Sequence, residues 1–227
     1  MNFFTELFSL ILPVQCIRCS VDGKIICLSC KKILEDKLRT PPNFIFGYGS
    51  SPKIAAHLPY GDVISRIILG AKDDGSQELQ SIVVNSLVLA RSLFPPKLLL
   101  VPIPSHANAK RKRGRDFNLD IARAVSRITG DQVASWLKFV RNCAPQKNLN
   151  ARERRENMAG ALSLSDKARA YISEAELDIH TLVLDDVLTT GATMRAGIRA
   201  LIAGGAPCLG GISAAYSLNW SASQPPH

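Results

Sequence analysis

The sequence predicts an α/β domain, a parallel sheet flanked by helices, with a small four-cysteine zinc ribbon ahead of it. Three observations lead there. Buried-type apolar runs at Leu98 to Ile103 and Thr181 to Leu184 alternate with stretches of helical periodicity, the pattern of a parallel sheet. Two Cys-x2-Cys pairs fall between Cys16 and Cys30. Near the C-terminal end an apolar strand runs into two aspartates, a Thr/Gly loop and a helix. A chain of 227 residues suits one medium domain with an appendage, and 46% hydrophobic with 21% charged residues is ordinary for a soluble globular protein. No apolar run approaches the ~20 residues a membrane helix needs, which argues against membrane insertion.

Taken in order, Phe3, Phe4, Leu7, Leu10 and Ile11 share one face of a short amphipathic helix. No Lys or Arg precedes them, and Glu6 stands where a signal peptide carries positive charge, so the expected location is cytoplasmic. The prolines Pro41 and Pro42 end a helical pattern begun at Cys30, dividing an N-terminal unit, residues 1–40, from a main domain, residues 41–227. Residues 54–60 read as a strand, and 61–72 and 76–93 as two helices. Leu98 to Ile103 is a buried strand, and residues 117–129 form a helix with Ile121, Ala122 and Val125 on one face. Val133 to Val140 and Ala161 to Leu164 are weaker strands. Thr181 to Leu184 is a buried strand, 192–203 a helix stopped by Gly204-Gly205, and 208–217 a last strand.

Cys16, Cys19, Cys27 and Cys30 form two pairs seven residues apart, joined by the turn sequence Val21-Asp22-Gly23-Lys24. Their thiolates can converge tetrahedrally on Zn2+, and with four cysteine ligands the metal is structural, having no open position. Two disulfides are the alternative, which a cytosolic chain disfavours.

The stretch Val183 to Thr193, VLDDVLTTGAT, has a physical logic. Ligands of open α/β sheets sit at the carboxyl ends of strands, where Asp185 and Asp186 stand. Thr189, Thr190, Gly191, Ala192 and Thr193 lead into a helix N-terminus, whose free N–H groups and dipole favour an anion. Gly191 permits positive φ. The two carboxylates can accept hydrogen bonds from vicinal hydroxyls. Phosphate plus sugar diol describes a ribose 5-phosphate. Each piece alone is a common turn or cap; the combination in strand–loop–helix order is far rarer.

Charge is concentrated. The chain carries +9, and residues 110–155, with thirteen Lys or Arg against four acids, hold all of it. Lys110, Arg111, Lys112, Arg113 and Arg115 suit a polyanion, a diphosphate or a nucleic acid, although a solvated basic face has the same composition. Residues 141–157, RNCAPQKNLNARERREN, read either as a long functional loop or as a charged helix. His57, His106 and His180 are scattered, and no general base stands out.

The LVLDDVLTTGAT run from Leu182 resembles the type I phosphoribosyltransferases, whose signature is four apolar residues, two acids, two more residues and a Thr-rich phosphate loop; Thr181 is the one loose match. The Cys pairs, Lys72 after a helix, VPIPS at 101–105, the basic segment through Phe117-Asn118, Gln146 with Leu149, and Arg154 with Asn157 extend the resemblance to the ComF family, from about residue 13 to residue 216. The family commonly has Gly-Phe-Asn-Gln or Arg-Phe-Asn-Gln where this chain has Asp116-Phe117-Asn118-Leu119. The resemblance implies that 5-phosphoribosyl-1-diphosphate (PRPP) binds with Mg2+ bridging its oxygens. It implies a diphosphate loop at Ser105, with Lys72 within reach of a phosphate, and a lid whose Arg154 and Gln146 reach the diphosphate. Phosphoribose would pass to an acceptor that the sequence does not name, Asp185, Asp186 and Arg154 serving the chemistry. It also implies the alternative of a non-catalytic PRPP or nucleotide binder acting on single-stranded DNA in DNA uptake and transformation.

Overall fold

The computed structural model describes residues 14–46, 51–140, 160–174 and 179–217. The expected helix at residues 3–11 and the 141–157 segment, with Gln146 and Arg154, lie outside them. The described elements are α1 (Leu28–Leu38), β1 (Asn43–Phe46), β2 (Lys53–Pro59), α2 (Asp62–Asp73), α3 (Gln77–Arg91), β3 (Leu99–Pro102), α4 (Ala107–Arg113), α5 (Phe117–Thr129), β4 (Gln132–Val133), β5 (Leu137–Phe139), β6 (Leu162–Leu164), α6 (Asp166–Glu174), β7 (Thr181–Leu188), α7 (Ala192–Ala203) and β8 (Cys208–Tyr216).

Six strands form one sheet in the order β1-β2-β8-β7-β3-β4. β1 is antiparallel at one edge, and the rest run parallel. The strands are apolar on both faces because helices cover both. Leu100, Leu182, Leu184 and Ile212 turn to one side, into a cluster with Ile67 of α2, Leu79 and Leu87 of α3 and Ile121 of α5. Leu99, Val101 and Val183, one residue out of phase, turn to the other, where Ile198 and Leu201 of α7 and the small sheet β5–β6 pack. The fold is thus the mostly parallel sheet flanked by helices that the alternation of patterns predicts, with a four-cysteine unit near the N-terminus.

That unit packs against the sheet's helices. Cys16, Ile26, Cys30 and Leu34 belong to the same apolar cluster as α2 and α3. Gly70 of α2 allows α3 to approach, since a Cβ there would run into the Leu79 side chain, and Ile17 of the cysteine unit lies in ordinary contact beside it. At the junction, buried His57 of β2 donates its Nε2–H to the Thr40 carbonyl at 2.8 Å.

The structure departs from the sequence reading in five places. Val133 to Val140 is not one strand: β4 ends the main sheet, while β5 crosses to pair with β6 around the buried Trp136. β7 runs on to Leu188, so both aspartates lie inside the strand rather than beyond it. α4 and α6 were not foreseen because their sequences carry almost no apolar stripe; α4 buries nothing and α6 only Ala168. β1 was hidden by the prolines before it.

Candidate functional site

Where β3 and β7 end, an open cleft of about 1420 Å³ reaches from Lys72 to Thr193. Its floor is the acid pair. The two carboxyls lie against the same helices and interact with each other, but they have different partners: Lys72 of α2 for Asp186 and Asn118 of α5 for Asp185. Asp186 is buried, 6% exposed, and forms an ion pair with Lys72 from the last turn of α2. Burial pushes its pKa up, but the ammonium beside it wins and holds it below the usual carboxylate range. Burial lowers that of Lys72, and Asp186 with Asp185 raise it above its ordinary value. Lys72 Nζ also stands 5.7 Å from the centre of the Phe117 ring. Asp185 has no cation of its own. Burial and the adjacent Asp186 carboxylate push it up to about 8 against the pull of Lys72, so Asp185 is the member of the pair that takes up a proton first. Asp185 Oδ1 accepts hydrogen bonds from the Asp186 N–H and from Asn118 Nδ2, each at 3.0 Å.

The Thr/Gly loop follows directly. Gly191 adopts φ 65° and ψ 9°, the left-handed conformation that its lack of a Cβ permits, and as the N-cap of α7 it has no side chain of its own to offer the helix. The first turn of α7 opens on the cleft, with Gly191, Ala192 and Thr193 in its lining. Thr189 and Thr190 are half-buried, and the Thr190 hydroxyl accepts from the Ala192 N–H at 3.4 Å.

On the β3 side Ser105 is fixed by Asp116, to which it donates both its hydroxyl at 2.9 Å and its N–H at 3.3 Å. Asp116 also caps α5 by accepting from the Leu119 N–H at 3.4 Å. The Ser105 N–H, expected from the sequence to face an anion, is therefore already engaged. Of the five basic residues 110–115, Lys110, Arg111 and Lys112 are exposed on α4. Arg113 pairs with Asp73 at 2.9 Å. Arg115 is drawn inward, donating to Ala71 O at 2.6 Å and to Asp120 and Gln80 at 3.2 Å. Arg111 and Arg113 line the cleft. So do His106 and Phe139, whose rings stack 4.3 Å apart at 17°. Burial lowers the pKa of His106, which favours the neutral ring.

The sequence shows Asp116, Asn118 and His106 as residues but not their contacts with Ser105, Asp185 and Phe139. Their partners lie eleven to sixty-seven residues away along the chain, and no local motif connects them.

Away from the cleft, the four sulfurs of Cys16, Cys19, Cys27 and Cys30 lie within 4.8 Å of one another, a set that can hold a metal ion such as zinc. The surroundings suit thiolates: the Cys27 N–H donates to Cys16 Sγ at 3.4 Å and Arg18 to Cys30 Sγ at 3.6 Å. Burial pushes Cys16 up, yet backbone N–H donors outweigh it and leave the thiol at about 6. Cys208 stands apart and donates to Gly210 O at 3.5 Å.

No family model matches the chain, and no match is found among curated proteins. Among solved structures it is similar to an adenine phosphoribosyltransferase of Trypanosoma brucei, crystallised with AMP, pyrophosphate and ribose-5-phosphate. The identity is 11% and the TM-score 0.40, over 86% of this chain and 85% of that one. A likeness that loose adds no weight to the geometry above. No described helix is long and apolar enough to cross a membrane.

Proposed function

We propose that the cleft binds PRPP or a related phosphoribosyl ligand, and that the chain is a type I phosphoribosyltransferase-like protein of the ComF kind. The observation that carries this reading is the succession along β7 and α7: a carboxyl pair in the second half of the strand, a left-handed Gly191 and the N-terminus of α7, in a cleft edged by Arg111 and Arg113. Thr189, Thr190, Gly191, Ala192 and Thr193 would hold the 5-phosphate, and Asp185 the ribose hydroxyls. Lys72 is held by Asp186, so its part in phosphate binding requires it to leave that partner. Mg2+ would arrive on the diphosphate: with Asp186 neutralised by Lys72 and Asp185 protonated, the pair is no ready-made divalent-cation cage. In a transfer reaction the leaving diphosphate gathers negative charge, which cations on the cleft rim would stabilise; Arg154 and Gln146 remain candidates for that part. The cysteine set would hold structural Zn2+.

Calorimetry of the whole protein with PRPP and Mg2+ tests the reading, with a dissociation constant between about 1 μM and 1 mM expected. Diphosphate release against a panel of acceptors then separates an enzyme from a binder. Absence of PRPP binding would remove the proposal. A second reading rests on the exposed Lys110, Arg111 and Lys112: a protein that binds single-stranded DNA and uses the cleft without turnover.

A further inference from the structure

Asn118 reaches Asp185 from α5. It is the second residue of α5, 7% exposed, between Phe117 and a run of buried apolar residues, Ile121, Ala122 and Val125. In such a place an apolar side chain costs nothing to bury, and an amide must be hydrogen-bonded to be tolerated. The amide is only half satisfied. One of its two polar atoms stands 3.0 Å from the Ile103 carbonyl and 3.0 Å from Asp185 Oδ1. A carbonyl only accepts. Asp185 Oδ1 is already accepting from the Asp186 N–H. The atom between them must therefore be the NH2 group, which fixes the orientation of the amide. Its carbonyl oxygen is then buried with no partner among the described residues.

The consequence falls on Asp185. Two N–H donors converge on its Oδ1, so Oδ2 is the oxygen of Asp185 that no N–H group among the described residues engages. Ile103 continues β3 and Asp185 belongs to β7, so the same NH2 group spans the two strand ends between which the cleft opens. We propose that Asn118 is a positioning residue of this site: its NH2 group pins Asp185 Oδ1 to the end of β3, so that Oδ2 is presented to a hydroxyl of the sugar. The inference rests on the phosphoribosyl reading of the cleft, and it assigns the residue that sets which oxygen of Asp185 meets the ligand. The unspent carbonyl oxygen fits this role, because a residue kept only for packing would not leave a buried acceptor unpaired.

The test compares wild type with Asn118→Leu, of similar volume but with no donor and no orphan acceptor, and with Asn118→Ala, which also has neither and is small enough to fold if Leu is not accommodated. Three measurements are made: PRPP binding with Mg2+ by calorimetry, inorganic phosphate binding, and the titration of the Asp185 carboxyl carbon by NMR. Expected in either variant is a PRPP affinity at least 10-fold weaker and an Asp185 titration shifted to higher pH, as the donor that favours the ionised form is removed. Phosphate binding and the thermal midpoint should be retained, because the Thr189–Thr193 loop is untouched. Unchanged PRPP affinity with an unmoved Asp185 titration overturns the proposal and leaves the phosphoribosyl reading standing. Parallel loss of PRPP binding, phosphate binding and thermal stability also overturns it, as the mark of a purely structural residue. If wild type itself takes up phosphate but no PRPP, the phosphoribosyl reading fails and this proposal fails with it.

Discussion

Two neighbouring aspartates of like chemistry differ in their partners, Lys72 for Asp186 and Asn118 for Asp185, and mutation should separate them. Asp186 and Lys72 have side chains 9% and 23% exposed, so their pair lies between a surface ion pair and a fully buried one. Asp186→Asn leaves Lys72 in the wall of the cleft without its counter-charge. The expected loss lies between the ~1 kcal/mol of an exposed pair and the ~3–5 kcal/mol of a buried one. Lys72→Met combined with Asp186→Leu should regain most of it, since two well-packed apolar groups of similar volume commonly replace a buried pair at little cost. Asp185 behaves in the other sense. Its folded pKa, about 8, lies above the unfolded value, so its contribution to stability is fully present below pH ~4 and is lost as pH rises through 8. At pH 7 the unfolded chain ionises this carboxyl freely while the folded one resists, and Asp185→Asn removes that penalty. Urea denaturation at pH 7 should show Asp185→Asn stabilised by about 0.5–2 kcal/mol while PRPP affinity falls. A destabilised Asp185→Asn would mean that this carboxyl is not held neutral by its surroundings.

Between elements, the strongest polar clamp is far from the cleft. Arg91 at the end of α3 meets Asp131 in a two-bond arrangement, both at 2.6 Å, with side chains 5% and 0% exposed, and Asp131 also accepts the Leu98 N–H at 2.9 Å. One carboxylate thus joins α3, the entry to β3 and the entry to β4. Asp131→Ala is expected to cost ~3–5 kcal/mol in denaturant melts, since it strands the buried guanidinium. Burial raises the pKa of Asp131, but Arg91, the Leu98 N–H and Thr129 outweigh it, and the net shift is downward. A depressed carboxylate stabilises the fold above its unfolded pKa of ~3.9 and loses that contribution as pH falls through the folded value. Acid denaturation of wild type should therefore steepen below pH 4, and this limb should be missing in Asp131→Asn. Nothing in the sequence announces the clamp, because Arg91 and Asp131 are forty residues apart. The same distinction runs through the whole structure. The Asp185–Thr193 run and the cysteine pairs could be read directly because strand, turn and helix succeed one another along the chain, and residue types at fixed offsets carry the geometry. The Asn118–Asp185 bond, the Asp116 grip on Ser105 and the inward turn of Arg115 depend on pairings across β3, α5 and β7, which hydrophobic period cannot specify. The split of Val133 to Val140 has the same origin: alternation marks a strand but does not say which sheet receives it.

At the level of the whole molecule, two features tie distant parts together, the cysteine unit and the charge. The unit contributes Cys16, Ile26, Cys30 and Leu34 to the cluster that also holds α2 and α3. If Zn2+ holds the four sulfurs, metal removal should be felt beyond residues 14–38, because binding and folding free energies are shared in such a site. Cys16→Ser and Cys27→Ser should lose zinc by elemental analysis, lower the thermal midpoint and speed amide exchange in α1 and in α2 alike; zinc-free wild-type protein with the same midpoint would refute this. The five cations at 110–115 are not equally free. Of the five cations at 110–115, Arg113 is paired with Asp73 and Arg115 is engaged with Asp120, Gln80 and Ala71 O, so Lys110, Arg111 and Lys112 are the three that α4 holds exposed. If this helix contacts single-stranded DNA, each neutralised phosphate releases counterions and adds roughly 0.7 to the slope of log K against log salt. Three cations then account for a slope of about 2, not the larger value that five would give. The stacked His106 and Phe139 at the N-terminal end of α4 also supply the aromatic surface that the local sequence lacks, so a salt-independent remainder is expected beneath the electrostatic part. Replacing Lys110, Arg111 and Lys112 together with Ala should flatten the salt slope by about 2, whereas Phe139→Leu should weaken binding at every salt concentration without changing the slope. A triple variant whose slope matches wild type would place the nucleic acid elsewhere on the molecule. A triple variant that loses PRPP binding and keeps DNA binding would assign α4 to the diphosphate side of the cleft.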